Sequence, residues 1–244
     1  MVGGNKNEKL DFNLIHKKEI AFIILGIIAF IGMVLFLVLN EAKCQEQHKH
    51  TDEIIEAMHN NDTEKFLALI DDPQKSVDRA SPSVMSKIIC NFFIYVLRID
   101  GSTTSYSPLE EACKMENLFY VEKLLEKGAD PNRYRKDEYL PPLLLAVNYH
   151  ANGENANDAK TIVEMLLAHG ANVNVQDSWE QNALIFLFRF KADSKEEVQT
   201  KYELAELLIR HSIDKSHKDL HEKTAYDYAI GNNYPKYVCD LLKP

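Results

Sequence analysis

One segment of the chain is too apolar for the surface of a globular domain. Residues 20–39 read IAFIILGIIAFIGMVLFLVL, a run without a charged or polar side chain. A helix rises about 1.5 Å per residue, so this segment would be roughly 30 Å long, the thickness of the hydrocarbon core of a bilayer. A buried core helix would be shorter or carry a polar stripe, and a cleaved signal peptide would have a shorter apolar region and a small-residue cleavage site. The segment therefore predicts an uncleaved transmembrane helix.

The lysines that flank this segment predict its orientation. Residues 1–19 hold four lysines, whereas residues 40–54 hold two. By the positive-inside rule, residues 1–19 form a cytoplasmic tail, residues 40–50 a juxtamembrane linker, and residues 51–244 a domain outside the cytoplasm. Gly26 and Gly32 are too far apart for the usual close-packing motif, in which the two glycines are separated by one helical turn, so we expect a monomeric anchor.

The charge of the chain argues against several classes of function. The formal net charge is −9, from 28 Lys+Arg and 37 Asp+Glu, and residues 40–244 carry −10 because residues 1–19 carry +1. A nucleic-acid-binding protein would normally show a basic face, so the acidic balance disfavours one. The sequence contains no P-loop, nucleophile elbow or dinucleotide fingerprint, and we expect no catalytic residues, no cofactor and no metal. His217 and His221 are close in sequence, but they fall between repeat units rather than on a helix.

Residues 107–244 contain four copies of one pattern. Each copy has an opening segment and a closing segment: SPLEEA (107–112) with VEKLLEKGADPN (121–132), PPLLLA (141–146) with IVEMLLAHGANVN (162–174), NALIFL (182–187) with AELLIRHS (205–212), and TAYDYA (224–229) with YVCDLL (237–242). The pattern resembles the ankyrin repeat, whose opening is T-P-L-H-x-A and whose closing is V-x-x-L-L-x-x-G-A-D-x-N. The resemblance implies an all-α solenoid of helical hairpins joined by short finger turns. Its expected parts are a degenerate N-terminal cap at 51–100 and repeats at about 104–137, 138–178, 179–220 and 221–244.

The spacing of the repeats indicates where they differ. The openings begin at positions 107, 141, 182 and 224, so the second and third intervals are longer than the first. The distance from the end of a closing helix to the next opening stays nearly constant, so the additional residues lie between the paired helices, near 149–158 and 191–200. They would project from one edge of the solenoid, either as tolerated surface loops or as an enlarged binding rim. Ser212 stands where the first two repeats have Gly128 and Gly170, the glycines expected in a left-handed helix C-cap. A further helix at 84–97 is expected outside the repeat pattern.

The resemblance also implies a binding surface, because ankyrin proteins bind other proteins through their fingers and inner helices. Aromatic residues and arginines dominate protein interfaces, so exposed ones on this surface are the candidates. Cys113 and Cys239 fall at packing positions, where we expect small buried hydrophobic side chains, although their disulfide state, like that of Cys90, is left open. The candidate partner-binding residues are Arg133, Tyr134, Arg135, Leu145, Tyr149, Trp179, Glu180, Phe186, Arg189, Phe190 and Tyr228.

A membrane-anchored repeat domain outside the cytoplasm is similar to bacterial ankyrin-type immunity proteins, which neutralise toxins delivered by type VI secretion, including lipases. The resemblance implies an anchor in the inner membrane, with residues 51–244 in the periplasm. This resemblance implies a protein partner, a toxin or effector, bound without catalysis; it is an analogy at the level of the fold. Two alternatives stay open. One is an anchored scaffold for membrane or periplasmic proteins, and the other is a eukaryotic or viral adaptor with cytosolic repeats.

Overall fold

The structure, a computed structural model, describes residues 6–73, 75, 77–78, 107–133, 140–150 and 156–244. The predicted helix at 84–97, and with it Cys90, lies outside these residues. The chain divides into two compact units, residues 1–46 with 81–101 and residues 47–80 with 102–244. All regular secondary structure in the described residues is helical, and none of them is in a strand. The ten described helices are α1 Lys6–His59, α2 Thr63–Ile70, α3 Pro108–Lys114, α4 Leu118–Glu126, α5 Pro142–His150, α6 Ala156–Ala168, α7 Ala183–Phe188, α8 Lys195–Arg210, α9 Ala225–Gly231 and α10 Lys236–Leu242.

Helix α1 includes both the apolar segment 20–39 and the segment 40–50 that the sequence predicts as a linker. The latter is helical because it is rich in Glu, Lys and Gln, which are good helix formers. Within the described part of the chain, no helix has the combination of length and apolarity that a membrane span requires.

In the second unit the helices form consecutive pairs. The end of α1 and α2 form a helical pair at the start of the segment that the sequence predicts as the N-terminal cap, and their apolar side chains share one core cluster. The pairs α3–α4, α5–α6, α7–α8 and α9–α10 follow. The first helices of these four pairs, α3, α5, α7 and α9, contact one another in that order and form an inner layer. The second helices α4, α6 and α8 contact one another in the same way and form an outer layer, so each pair buries its apolar side against the next pair, as a solenoid requires.

Three of the inner helices, α3, α7 and α9, begin after a capping side chain. The Ser107 side chain accepts a hydrogen bond from the Glu110 N–H, and the Glu110 carboxylate accepts one in return from the Ser107 N–H at 2.7 Å. Thr224 makes the same capping box with Asp227 before α9. Asn182 caps α7 by accepting from the Ile185 N–H at 3.1 Å. Each side chain satisfies a backbone donor that the helix itself leaves free.

A left-handed residue follows each of the outer helices α4, α6 and α8. Gly128 has φ of 82° and Gly170 of 88°, and Ser212 at the equivalent position has φ of 66°. The turn at Ser212, for which the sequence lacks the expected glycine, therefore has the same backbone conformation as the other two. A side chain in this region is strained, so Ser212 holds its conformation at an energetic cost.

The additional residues of the third repeat lengthen its outer helix. Helix α8 has 16 residues and begins after the capping side chain of Ser194, whereas α4 has 9. Of the two expected forms of this insertion, the surface loop is therefore wrong for residues 195–200, which are helical because a capping serine followed by Lys, Glu and Gln favours additional helical turns. In the second repeat, residues 151–155 lie outside the described residues, and α6 has 13 residues.

The lengthened helix buries a lysine. Lys201 is almost fully buried, and its Nζ lies 2.8 Å from Glu197 Oε1 and 3.0 Å from the Tyr234 hydroxyl. The Tyr234 hydroxyl in turn donates to the Phe190 carbonyl at 2.8 Å. This chain of contacts fixes the third repeat to the fourth.

Asparagine side chains join one finger to the next. We call residues 129–133, 171–181 and 213–223 the first, second and third fingers. The Asn132 side chain accepts from the Asn172 N–H at 2.7 Å and donates to the Gly170 carbonyl at 2.8 Å. Asn174 Oδ1 accepts from the Asp214 N–H at 2.8 Å in the same way. These bridges fix the spacing of neighbouring fingers.

The N-terminal cap continues this arrangement with a carboxylate. Asp78 accepts from the Asp130 N–H at 3.2 Å, as Asn132 accepts from the equivalent N–H of Asn172. The cap therefore supplies a bridge of the same kind to the first finger, although its sequence has lost the repeat pattern.

The core is a single cluster of apolar side chains that runs from Ile54 to Leu242 through all the helix pairs of the second unit. Cys113 and Cys239 are buried in it and free, which confirms the predicted packing role. Burial raises the pKa of the Cys113 thiol, so this side chain behaves as a small hydrophobic group.

Candidate functional site

The second and third fingers have tips of the same construction. In the second finger, Asp177 Oδ1 accepts from the Trp179 N–H at 2.9 Å and the Gln181 N–H at 2.8 Å. In the third, Asp219 Oδ1 accepts from the His221 N–H at 2.9 Å and the Lys223 N–H at 3.1 Å. An aspartate thus holds each turn closed, which places Trp179 and His221 at equivalent positions.

The two tips are bonded to each other. The Leu220 N–H donates to the Trp179 carbonyl at 3.1 Å, and a ring nitrogen of His217 lies 2.6 Å from the Glu180 carbonyl oxygen. The Trp179 indole stacks on the His221 ring with centroids 6.2 Å apart and planes 22° from parallel. Trp179 is 56% exposed and Leu220 54%. We call Trp179, Leu220 and His221 the tip surface.

A polar network lies behind the tip surface and joins three repeats. Arg189 Nη1 donates to Gln181 Oε1 at 2.7 Å, and Arg189 Nη2 to Asn148 Oδ1 at 3.1 Å. Gln181 Nε2 donates to Asp219 Oδ2 at 3.3 Å, and the Tyr228 hydroxyl donates to the same oxygen at 2.6 Å. The network therefore runs from α5, through the end of α7 and two fingers, to α9.

The network sets the protonation of its members. Burial and the hydrogen bond to Asp219 raise the pKa of Tyr228 to about 12. Burial alone would raise the pKa of Asp219, but the hydrogen bonds that its carboxylate accepts from Tyr228, Lys223 and His221 outweigh it and lower that pKa. Asp219 is therefore a carboxylate and Tyr228 a neutral hydroxyl donor at neutral pH.

Three of the predicted binding residues are exposed. Trp179 and Glu180 lie at the tip of the second finger, and Phe190, just after α7, is 67% exposed. Three others are half-buried: Arg189 and Tyr228 belong to the polar network, and Arg133 lies 3.8 Å from Asp78 in an ion pair.

The expected exposure is wrong at two positions. Leu145 is 2% exposed and Phe186 is 4% exposed. Phe186 is covered because α7 lies between α5 and α9 in the inner layer and because the Arg189 guanidinium sits 3.9 Å from the centre of its ring. Tyr134, Arg135 and the side chain of Tyr149 lie outside the described residues.

Sequence reasoning missed part of this surface. Leu220 and His221 were not predicted as partners of Trp179, and Asn148, Gln181 and Asp219 were not predicted at all. The signal was present, because the separation of Asp177 and Asp219 equals the separation of the third and fourth openings, which begin at positions 182 and 224. That equivalence places residues 179 and 221 side by side.

The family model of the ankyrin repeat matches residues 140–178. No curated protein matches the chain. The match and the all-helical architecture of the described residues support an ankyrin-type fold, and ankyrin repeats are typically non-catalytic modules that bind other proteins.

Proposed function

We propose that the chain is a non-catalytic protein-binding module that captures its partner on the tip surface and on the adjoining end of α7. The observation that carries the proposal is the exposure of Trp179 on a tip that is bonded to its neighbour. A large aromatic side chain on a rigid support buries much area at a small entropic cost when a partner covers it.

A single substitution tests this surface. The full-length protein, solubilised in detergent, is used to capture its partner from the source organism, and the partner is identified by mass spectrometry and purified. We expect Trp179→Ala to weaken the affinity at least tenfold, since central aromatic residues contribute about 2 kcal/mol or more to binding.

The matched control is Tyr237→Ala, since Tyr237 is also about half exposed but lies on α10, where it packs against Tyr202 of α8 with ring centres 5.3 Å apart. The control is expected to bind as the wild type does. Equal affinity of the Trp179→Ala variant and the wild type would exclude the tip surface as the binding site.

We further propose that residues 20–39 tether this module to an inner membrane, with the repeats in the periplasm. The proposal is supported by the uninterrupted apolar sequence and the lysines before it. It is also supported by the large apolar side chains described in this segment, which are between 48% and 66% exposed. An alkaline phosphatase fused to the C-terminus would be active in this topology, and an inactive fusion in a stable protein would contradict it.

The proposed partner is a secreted toxin such as a type VI lipase, so that the module acts as an immunity protein. Support for this is by analogy of architecture: an anchored binder without catalytic motifs needs only a surface that covers a toxin. Expression of the captured partner in cells with and without the chain tests it, since the chain should restore growth. If the partner is instead a resident membrane or periplasmic protein without toxicity, the module is a scaffold.

A further inference from the structure

The guanidinium of Arg189 is a cation that is held in a fixed position beside the proposed binding surface. Its guanidinium lies 3.9 Å from the centre of the Phe186 ring and 4.9 Å from that of Phe190. Gln181 and Asn148 accept hydrogen bonds from its two terminal nitrogens. The side chain therefore has one orientation, set by two repeats and two aromatic rings.

This guanidinium makes no ion pair within the part of the chain that the structure describes, and both of its hydrogen-bond partners are neutral amide oxygens. Burial lowers its pKa, and the charge of Asp177 acts on it in the opposite direction by a smaller amount. The nearby carboxylates are engaged elsewhere, since Asp177 accepts from two backbone N–H groups and Asp219 accepts from Tyr228 and Gln181. A half-buried cation without a directly bonded carboxylate is costly in a folded protein.

The side chain also keeps unused donors. A guanidinium has five N–H groups, of which two are used in the network. The Nε group is buried and has no acceptor among the described residues, whereas the residue as a whole is only half-buried. One hydrogen on each terminal nitrogen is likewise left without an acceptor there, while Phe190 beside it is largely exposed.

We infer that Arg189 binds an acidic side chain, Asp or Glu, of the protein partner, and that Phe190 packs against the aliphatic part of the same segment. This inference rests on the proposed function and specifies the chemistry of the partner at one point. A carboxylate matches the planar guanidinium better than any other side chain, because the two form charge-assisted hydrogen bonds.

The net charge of the domain opposes the approach of an acidic partner. Residues 40–244 carry −10, which would repel an acidic partner at a distance. A single cation in a mainly acidic domain does not attract a partner over a long range. It selects a partner segment with one acid at the correct position and so contributes specificity.

The test uses random dodecapeptides displayed on phage, selected against the full-length protein in detergent. Peptides that lose affinity for the Trp179→Ala variant are kept, synthesised, and compared with versions in which each Asp or Glu is replaced by Asn or Gln. We expect one acidic residue in these peptides whose replacement weakens binding at least tenfold. In the Arg189→Met variant, we expect the acidic and amide peptides to bind with equal affinity.

Arg210→Met is the matched control, since Arg210 is exposed at the end of α8. The Arg210→Met variant should still bind the acidic peptide more tightly than the amide peptide. If Arg189→Met does not fold, Arg189→Lys replaces it: the ammonium keeps the charge but cannot form the paired hydrogen bonds of a guanidinium, so the preference for the acidic peptide should fall. Two results would overturn the inference without contradicting the proposal for the tip surface. One is a set of selected peptides without an acidic residue, and the other is an Arg189→Met variant that still binds the acidic peptide more tightly than the amide peptide. A selection that yields no Trp179-dependent peptide would count against both proposals.

Discussion

At the scale of single residues, the left-handed backbone conformation of Ser212 lowers the stability of the folded protein. Gly128 and Gly170 adopt the left-handed region at equivalent positions without a side chain to strain. We expect Ser212→Gly to stabilise the protein by about 1 kcal/mol, which corresponds to about 2–4 °C in Tm for a domain of this size. Thermal unfolding followed by circular dichroism measures the change.

The control for this substitution is Ser178→Gly. Ser178 is also an exposed finger residue, but its φ is not positive, so glycine relieves no strain there. Its only effect is to raise the conformational entropy of the unfolded chain, which does not favour folding. We expect a Tm equal to or below that of the wild type. A Ser212→Gly variant that melts no higher than the Ser178→Gly variant would contradict the argument from backbone strain.

Asp219 makes a pH-dependent contribution to stability. Its pKa is lowered in the folded protein, so the stabilisation is complete above the ordinary aspartate pKa near 4 and is lost as the pH falls through the lower folded value. We expect Asp219→Asn to cost about 1–3 kcal/mol at pH 7, because the charge is lost and the amide nitrogen that replaces one carboxylate oxygen cannot accept hydrogen bonds, as Oδ2 does from Tyr228 and Gln181. At pH 2 the variant and the wild type should differ much less.

Urea unfolding at both pH values measures this difference. The Tyr228→Phe variant serves as the comparison: it keeps the carboxylate but removes the hydrogen bond that lowers the Asp219 pKa most, so it should reduce the pH dependence. A loss of stability in Asp219→Asn that is as large at pH 2 as at pH 7 would show that the contribution is not electrostatic.

At the scale of the helices, the extension of α8 is held by Lys201. Removing one partner of a buried ion pair typically costs about 3–5 kcal/mol, so we expect Lys201→Ala to destabilise the protein by about that amount. Lys195→Ala is the control, since Lys195 is exposed in the first turn of the same helix. Urea denaturation of the two variants compares them, and similar losses would exclude a special role for the buried amine.

The sequence predicts those features of the helices that depend on local interactions, and it does not predict the others. The helix starts at Ser107, Asn182 and Thr224 follow from capping chemistry, which acts within the first helical turn and is visible in sequence. The extension of α8 was predicted as a projecting segment, because a length difference between repeats does not show whether the added residues are helical.

The candidate site is less predictable because its features depend on neighbouring repeats. The burial of Phe186 follows from the position of α7 in the inner layer and from the guanidinium over its ring. The bridge made by Asp78 could not be predicted either, since the cap around it has lost the repeat pattern. Contacts between repeats are set by three-dimensional packing rather than by local sequence.

At the scale of the whole repeat unit, the finger bridges couple neighbouring hairpins. We expect Asn132→Ala to cost about 1–2 kcal/mol, since it removes two hydrogen bonds between the first and second fingers. Because a solenoid is stabilised by interfaces between neighbours, the urea transition should also become less steep. Gln176→Ala, at an exposed position of the second finger, is the control and should leave both midpoint and steepness unchanged. An unchanged transition in Asn132→Ala would show that apolar packing alone couples the hairpins.

The stack of Trp179 on His221 also has a consequence for measurement. The sequence contains one tryptophan, and the structure places it on the tip surface, in contact with water. The fluorescence of the indole therefore reports on this one surface and on no other part of the protein. When a partner excludes water from the indole, its emission moves to shorter wavelength. Binding at the tip surface can therefore be measured by fluorescence without labelling the protein.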